Sequence, residues 1–282
     1  RPFRPKLVFV GVDSLTRGRT QDMYYDFSWQ DAPLSSKSSP FVAGALYLLT
    51  VLLLPSFVTS SCRQFATMWL PFHNGSLCLV SVVLFAGCLF ESVCRLRKEG
   101  WGWLICEDPK AETAGPLYFW SYAFYVSKYV EFGDTFLLIL KSGQRSKDFG
   151  LHLYHHALVP VITFFWLQYA MSLQFIGVLW NTLVHVMMYA YFAFKEAGFD
   201  MPFSFVVWCL QVVQFLCSFP CGAMVLREIW DSPFGDICAG QKTMWVSFGF
   251  NMSLLFLFGS IKRRRDKIDS GVVHSRLAAE EE

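Results

Sequence analysis

Long apolar stretches, each broken by few charged residues, alternate with short polar segments along most of this chain. Seven stretches have about 17 to 25 residues, the length that an α-helix needs to cross the hydrocarbon core of a bilayer. The pattern predicts an all-α membrane protein with seven transmembrane helices. The seven stretches are residues 41–60, 76–94, 116–140, 151–170, 172–194, 202–226 and 241–261.

The composition agrees with a membrane protein. Hydrophobic residues make up 54% of the 282 positions and charged residues only 16%, against roughly 25% charged residues in soluble domains. The formal net charge is +2, so no strong positive field favours nucleic acid as a partner. We expect residues 1–39 to form a polar lead-in without the apolar core of a signal peptide, residues 40–261 the membrane domain, and residues 262–282 a basic, then acidic tail.

The basic residues predict an orientation. Residues 262–267 open the tail with five cations, and the link between the third and fourth stretches contains Lys141, Arg145 and Lys147. With seven helices these segments lie on the same side of the membrane, which the positive-inside rule makes cytosolic. The link between the second and third stretches holds four cations on the opposite side, and these argue against this orientation.

The chain has nine cysteines, most of them inside apolar stretches, where a cysteine usually behaves as a small buried hydrophobic residue. Cys106 and Cys238 differ, because they lie in two loops on the side opposite the tail. An oxidising lumen permits a disulfide between them if their Cα atoms come within roughly 7 Å. The sequence leaves open whether they are bridged.

Three histidines stand near the start of the fourth apolar stretch. His152, His155 and His156 have the offsets i, i+3 and i+4, so a helix carries all three imidazoles on one face. Ionisable side chains at membrane depth are costly and usually functional. We therefore predict a functional site at this position.

Further polar residues interrupt the third and fifth stretches. Lys128 and Glu131 are three residues apart and can pair on one helical face, shortly before Asp134. They form either an ion pair that only fixes helix packing or a polar wall of a substrate cavity. Asn181 and His185, together with Tyr189, recur at four-residue spacing and share a face. Gln211 and Gln214 in the sixth stretch have either a functional role or a simpler one, because amides in membrane helices often only hydrogen-bond to neighbouring helices.

Two kinds of chemistry use clustered imidazoles. The six histidines of the chain are too few for a membrane di-iron centre, although a single zinc ion held by three or four of them stays open. Without a metal, imidazole acts as a nucleophile or a general base, and acyl transfer from a thioester fits that chemistry. The link with Lys141, Arg145 and Lys147 could then bind the phosphates of coenzyme A.

The polar residues form three motifs: Lys128-x-x-Glu131-x-x-Asp134-Thr135, His152-x-x-His155-His156 and Asn181-x-x-x-His185-x-x-Met188-Tyr189-x-Tyr191. In this order the motifs resemble those of the ELO-type very-long-chain fatty acid elongases, and the resemblance covers most of the region from Asn74 to the seventh stretch. Two positions depart from the family. Trp208 stands in the threonine position of the sixth-span pattern TxxQxxQ, which Gln211 and Gln214 otherwise match, and Phe192 replaces the last tyrosine of the fifth-span motif.

The resemblance implies a ring of six transmembrane helices closed around an acyl tunnel, with the first helix outside the ring. It implies an acyltransferase that condenses a long-chain acyl-CoA with malonyl-CoA to a 3-oxoacyl-CoA, and that uses no cofactor or metal beyond these substrates. His155 would be the acyl-accepting nucleophile, assisted by His152, His156 and His185. The expected substrate-binding residues are Lys128, Glu131, Asp134, Asn181, Tyr189, Gln211, Gln214, Lys141, Arg145 and Lys147.

The resemblance also implies a location in the endoplasmic reticulum membrane with a cytosolic C-terminus. The partners would be the lipid bilayer, the reductases and dehydratase of the elongation cycle and, in one arrangement, a second copy of the chain. The segment 119–124 is similar to the subgroup that acts on saturated and monounsaturated chains. The alternatives are a metal-dependent lipid hydroxylase or desaturase, and a seven-helix transporter or receptor without enzymatic activity.

Overall fold

The computed structural model describes residues 24–144, 149–199, 201–230 and 237–280, with side chains described as far as Arg263. These residues are almost entirely helical, and their one extended pairing is the isolated bridge between Ser28 and Ala114. The predicted all-α class is therefore confirmed. The helices are α1 Ser39–Leu53, α2 Ser60–Glu99, α3 Gly102–Ile105, α4 Pro116–Val130, α5 Phe132–Ser142, α6 Phe149–Gln168, α7 Gln174–Glu196, α8 Ser204–Leu216, α9 Ser218–Trp230 and α10 Gln241–Glu280, with short 3-10 turns at Trp29–Asp31 and Leu54–Phe57.

Five helical segments of the described chain are long and apolar enough to cross a membrane. The third and fourth predicted spans are not among them. The break at Glu131 divides the third into α4 and α5, of 15 and 11 residues, and three histidines make α6 more polar. The chain is a multi-pass membrane protein, while the count of seven crossings stays a prediction. The five segments are Ser39–Phe57, Ser60–Glu99, Gln174–Glu196, Ser204–Trp230 and Gln241–Arg263.

The contacts between helices run in a cycle. Helix α2 packs against α4 and α5, α4 against α6, α6 against α10, α10 against α8, α8 against α7, and α7 again against α2. Helix α1 packs on α5 and α6 from outside this cycle, and most of its apolar side chains are exposed. Six helical segments closed around a central space would have these neighbours.

The end of the bundle opposite the histidines is tied together by covalent and polar contacts. Cys106 and Cys238, whose pairing the sequence left open, form a disulfide with their Cα atoms 4.8 Å apart. Next to the bridge, the buried Glu107 accepts two hydrogen bonds from the guanidinium of Arg95, at 2.5 and 2.8 Å. The backbone N–H of Ala239 donates to the carbonyl of Glu107 at 2.9 Å. The loops before α4 and α10 are thereby fixed to each other.

The described part of the lead-in, residues 24–38, packs into the same end of the molecule. Trp29 is fully buried, and its backbone N–H donates to the carbonyl of Thr113 at 3.0 Å. The N–H of Gly115 donates to the carbonyl of Phe27 at 2.8 Å, just before α4 begins. This segment therefore belongs to the folded body of the protein and covers the ends of α4 and α6.

Candidate active site

A break in the third apolar stretch creates the polar centre of the molecule. Helix α4 ends at Val130 and α5 begins at Phe132, so Glu131 lies at the junction and the side chains on both sides turn inward. Lys128, Glu131 and Asp134 are only 2%, 3% and 6% exposed. Charges buried this deeply need partners, since removal from water costs several kcal/mol per ion.

Lys128 and Glu131 form an ion pair with each other, and both contact polar side chains of helix α7. The ammonium of Lys128 donates to Glu131 Oε1 at 2.7 Å and to Asn181 Oδ1 at 2.9 Å. The same carboxylate oxygen lies 3.4 Å from Nδ1 of His185, one turn beyond Asn181 on α7. The predicted shared face of α7 therefore meets the predicted charge pair of α4.

Asp134 joins a second group of side chains. Its two carboxylate oxygens accept hydrogen bonds from the hydroxyl of Tyr189 at 2.6 Å and from Nε2 of His73 at 2.7 Å. The ring of Tyr189 in turn meets the ring of His185 edge-on, with centroids 5.2 Å apart. Asp134 thus fixes Tyr189 beside the charged pair.

His73 is a residue that sequence reasoning missed. The apolar stretch used to predict the second span begins at residue 76, whereas α2 begins at Ser60, so His73 lies well inside the helix. It follows Leu70 by three residues and precedes Leu77 by four, and both leucines are buried. This helical spacing was the signal that places His73 on the inward face.

The three histidines of α6 lie side by side, and two of them form a stack. The rings of His152 and His156, one turn apart, lie nearly parallel with their centroids 4.1 Å apart, and the ring of His155 meets His156 at 5.3 Å and 60°. Nε2 of His152 is 2.9 Å from the hydroxyl of Thr135. His156 is buried and its Nδ1 has no hydrogen-bond partner among the described residues. The single face predicted from the spacing is present.

A cavity opens beside this cluster, and His155 and Asn181 are on its wall. The empty volume is about 1000 Å³, a figure that includes the solvent space at the opening of the cavity. From His155 the wall follows α6 as far as Trp166, which is about 16 Å along a helix. The remaining wall is mostly apolar and comes from α7 to α10, with Ile176, Trp180, Phe215, Phe248, Phe250 and Leu254 among the residues that line it.

The other predicted site residues divide into three groups. Gln214 lines the cavity, whereas Gln211 donates to the sulfur of Met188 at 3.5 Å. Lys141 forms an ion pair with Glu196 that joins α5 to α7. Arg145 and Lys147, which were predicted with Lys141 to bind phosphates, lie outside the described residues.

His152 and His156 present ring faces to each other, and the ring of His155 meets His156 at an angle. Among the described residues no group of three or more histidine, cysteine, aspartate or glutamate side chains is arranged to hold a metal ion. The arrangement offers the partly buried imidazole of His155 at the edge of an apolar cavity, and Asn181, on the wall of the same cavity, accepts a hydrogen bond from the charged pair's Lys128. Such a site suits nucleophilic or acid–base chemistry on a long apolar substrate.

Comparison with known proteins gives one family. The model of the ELO family, described as GNS1/SUR4, matches residues 32–262. The fatty acid elongase sre1 of Dictyostelium discoideum is 30% identical over 258 residues, which are 86% of this chain and 93% of that protein. The fatty acid elongase 3-like protein of Arabidopsis thaliana is 27% identical over 269 residues, which are 88% and 90% of the two chains.

A third relative matches a shorter region. The very long chain fatty acid elongase 6 of Rattus norvegicus is 33% identical over 146 residues, which are 50% of this chain and 52% of the rat protein. No solved structure matches the chain significantly.

Proposed function

This chain belongs to the ELO (GNS1/SUR4) family, and from that membership we propose that it is the condensing enzyme of fatty acid elongation. The proposed substrates are a long-chain acyl-CoA and malonyl-CoA. They react with loss of CO2 to give free CoA and a 3-oxoacyl-CoA that is two carbons longer. No further cofactor enters this reaction.

One observation carries the proposal most directly. His155 is the member of the histidine cluster that lines the apolar cavity, and Asn181, which accepts a hydrogen bond from Lys128, lines the same cavity. An acyl chain lying in this cavity with its thioester at His155 would bring the reacting carbonyl next to the charged pair. Buried, fixed donors act strongly on charge that develops in a site from which water is excluded.

The proposed first step transfers the acyl group to the enzyme. A nitrogen of neutral His155 attacks the thioester carbonyl carbon, the C–S bond breaks, and the imidazole proton goes to the departing CoA thiolate. The product is an acyl-imidazole with the chain in the cavity. His156, whose ring meets that of His155 at 60°, and His152, which is stacked on His156, would hold the ring of His155 in place.

The proposed second step forms the carbon–carbon bond. Malonyl-CoA loses CO2, and the carbanion that remains attacks the acyl carbon. The C–N bond to His155 then breaks, and the imidazole takes up a proton from the solvent in place of the one that left with CoA. Lys128, held in place by its hydrogen bonds to Glu131 and Asn181, would stabilise the negative charge that develops on the carbonyl oxygens.

The remaining parts of the proposal concern the surroundings. Lys141, Arg145 and Lys147 would bind the CoA phosphates at the cytosolic face, and Tyr189, Asp134, Gln211 and Gln214 would shape the substrate site. The protein would work in the endoplasmic reticulum with its C-terminus in the cytosol. The reductases and dehydratase that process the 3-oxoacyl-CoA would be its functional partners.

The covalent route can be tested by mass spectrometry. Detergent-solubilised protein is mixed with acyl-CoAs from about twelve to twenty-two carbons, first without malonyl-CoA for intact mass and then with labelled malonyl-CoA for product. We expect an acyl adduct that is absent in His155→Ala and unchanged in His274→Ala, a change in the tail. Normal condensation without any adduct would overturn the acyl-imidazole, and absence of condensation with every acyl-CoA would overturn the proposed function.

A further inference from the structure

Tyr47 is a buried polar residue on a helix that is otherwise largely exposed. It lies near the middle of α1, which packs outside the cycle of helices, and it is only 1% exposed. Its neighbours Leu46 and Leu48 are 59% and 45% exposed. The phenol therefore points inward, from a helix that contributes no residue to the cavity wall.

The hydroxyl of Tyr47 reaches the histidine cluster through one side chain. It lies 3.0 Å from Oγ1 of Thr135, and the same Oγ1 lies 2.9 Å from Nε2 of His152. The three groups form a continuous hydrogen-bonded chain from α1 through α5 to α6. The threonine hydroxyl can donate to one partner while it accepts from the other, and it thereby connects both.

The ring of Tyr47 contacts the same region. It stacks on Phe132 with centroids 4.4 Å apart, and it lies nearly parallel to the ring of His156 at 6.5 Å. His156 is in turn stacked on His152. Tyr47 is thus connected to His152 through the hydroxyl of Thr135, and the face of its ring lies beside His156.

We propose that Tyr47 is a positioning residue for the condensation, and that it acts by holding Thr135 so that Thr135 fixes the ring of His152. This inference rests on the proposed function, because it assigns a role towards the same histidines. When His152 is fixed, His156 stays stacked on it, and His155 keeps its angle to the cavity. Displacement of a reacting group by about 1 Å can lower a rate on the order of 100-fold.

A purely structural role for Tyr47 predicts a different result. If the residue only packs α1 onto the core, its ring matters and its hydroxyl does not. Tyr47→Phe keeps the ring and removes the hydroxyl, which separates the two roles. Thr135→Val and Thr135→Ser make the same distinction at the centre of the chain, because both are close to threonine in size and only serine keeps the hydroxyl.

The experiment measures kcat and KM for condensation in detergent. We expect Tyr47→Phe to lower kcat about three- to tenfold, the effect of one hydrogen bond, with KM for acyl-CoA unchanged. Thr135→Val should lower kcat at least as much, and Thr135→Ser should restore it. Because the two hydroxyls act in one chain, the double variant of Tyr47→Phe and Thr135→Val should be no slower than Thr135→Val alone.

Tyr125→Phe is the matched control. Tyr125 is also fully buried, but its hydroxyl donates to the carbonyl of Leu34 at 3.1 Å and is hydrogen-bonded to the hydroxyl of Tyr129, so neither partner is a histidine or Thr135. A kcat of Tyr47→Phe equal to wild type, an effect on KM alone, or an equal loss in Tyr125→Phe would overturn the inference. If Tyr47→Phe does not fold, the kcat values of Thr135→Val and Thr135→Ser test the inference, and equal values for these two variants would overturn it. A wild-type protein without condensation activity would instead contradict the proposed function.

Discussion

The ring of His73 packs over Gly133, the residue before the aspartate that accepts its hydrogen bond. A Cβ added at Gly133 would stand 2.8 Å from Cε1 of this ring, closer than carbon atoms approach in proteins. The imidazole would have to move, and Nε2 would lose its 2.7 Å contact with Asp134. The absence of a side chain at residue 133 is therefore part of what holds Asp134 and Tyr189 in place.

This packing gives a prediction for a single methyl group. Gly133→Ala should lower kcat of the proposed condensation about tenfold, the effect expected from losing one hydrogen bond to a charged group, while the protein stays folded. Gly75→Ala, also close to His73 in sequence, is the control because a Cβ there meets nothing within 4 Å. Steady-state kinetics of both variants test this, and equal activities would contradict it.

The buried charge pair gives a second prediction. Lys128→Met leaves Glu131 buried without its cation and should destabilise the protein by about 3–5 kcal/mol. Adding Glu131→Gln removes the uncompensated charge and should recover most of the lost stability, but not the activity. Thermal unfolding in detergent, followed together with condensation, tests this. A double variant as unstable as Lys128→Met would contradict it.

Residue-scale motifs could be predicted where helical spacing brings side chains together on one element. The stack of His152 and His156 and the shared face of Asn181 and His185 follow from offsets of four residues. Contacts between distant elements could not be predicted in this way. His73 and Tyr47 are single polar residues in apolar surroundings, and only the packing of their helices shows that they reach Asp134 and Thr135.

At the scale of elements, the ion pair of Lys141 with Glu196 connects the end of α5 to the end of α7. Both side chains are partly exposed, so the pair itself contributes little stability. If Lys141 binds a CoA phosphate, it must exchange the carboxylate of Glu196 for that phosphate. The pair would then weaken CoA binding and favour release of the product.

This exchange predicts opposite effects for the two partners. Glu196→Gln should lower KM for acyl-CoA about threefold, and Lys141→Gln should raise it by a similar factor, with both effects smaller in high salt. Kinetics at two ionic strengths measure this. A higher KM in both variants would mean that the pair is needed for structure and would contradict the exchange.

Helix boundaries were harder to predict than helix positions. Each of the seven apolar stretches contains a helix, because length and apolar composition are read directly from the sequence. The break at Glu131 and the early start of α2 at Ser60 were not predicted, since both depend on contacts with other helices. The docking of Trp29 was missed for the same reason, in a segment whose average polarity suggested only a lead-in.

At the scale of the whole molecule, the disulfide ties two loops that are 132 residues apart in the sequence. Cys106→Ser should lower the free energy of unfolding by about 2–5 kcal/mol, because the unfolded chain loses a long cross-link. Reductant should destabilise the wild type and leave Cys106→Ser unaffected. Cys94→Ser, a change at a free cysteine, is the control. Equal unfolding temperatures of the three proteins in the absence of reductant would contradict this.

Helix α10 closes the cycle of helix contacts, because it packs against both α6 and α8. It is synthesised after the other helices of the cycle, and it supplies Met244, Phe248 and Leu254 to the cavity wall. Until it arrives, the space beside His155 lacks one side and is open to surrounding lipid. A nascent chain therefore has all four clustered histidines well before the cavity is enclosed, and enclosure begins only when α10 has joined the bundle.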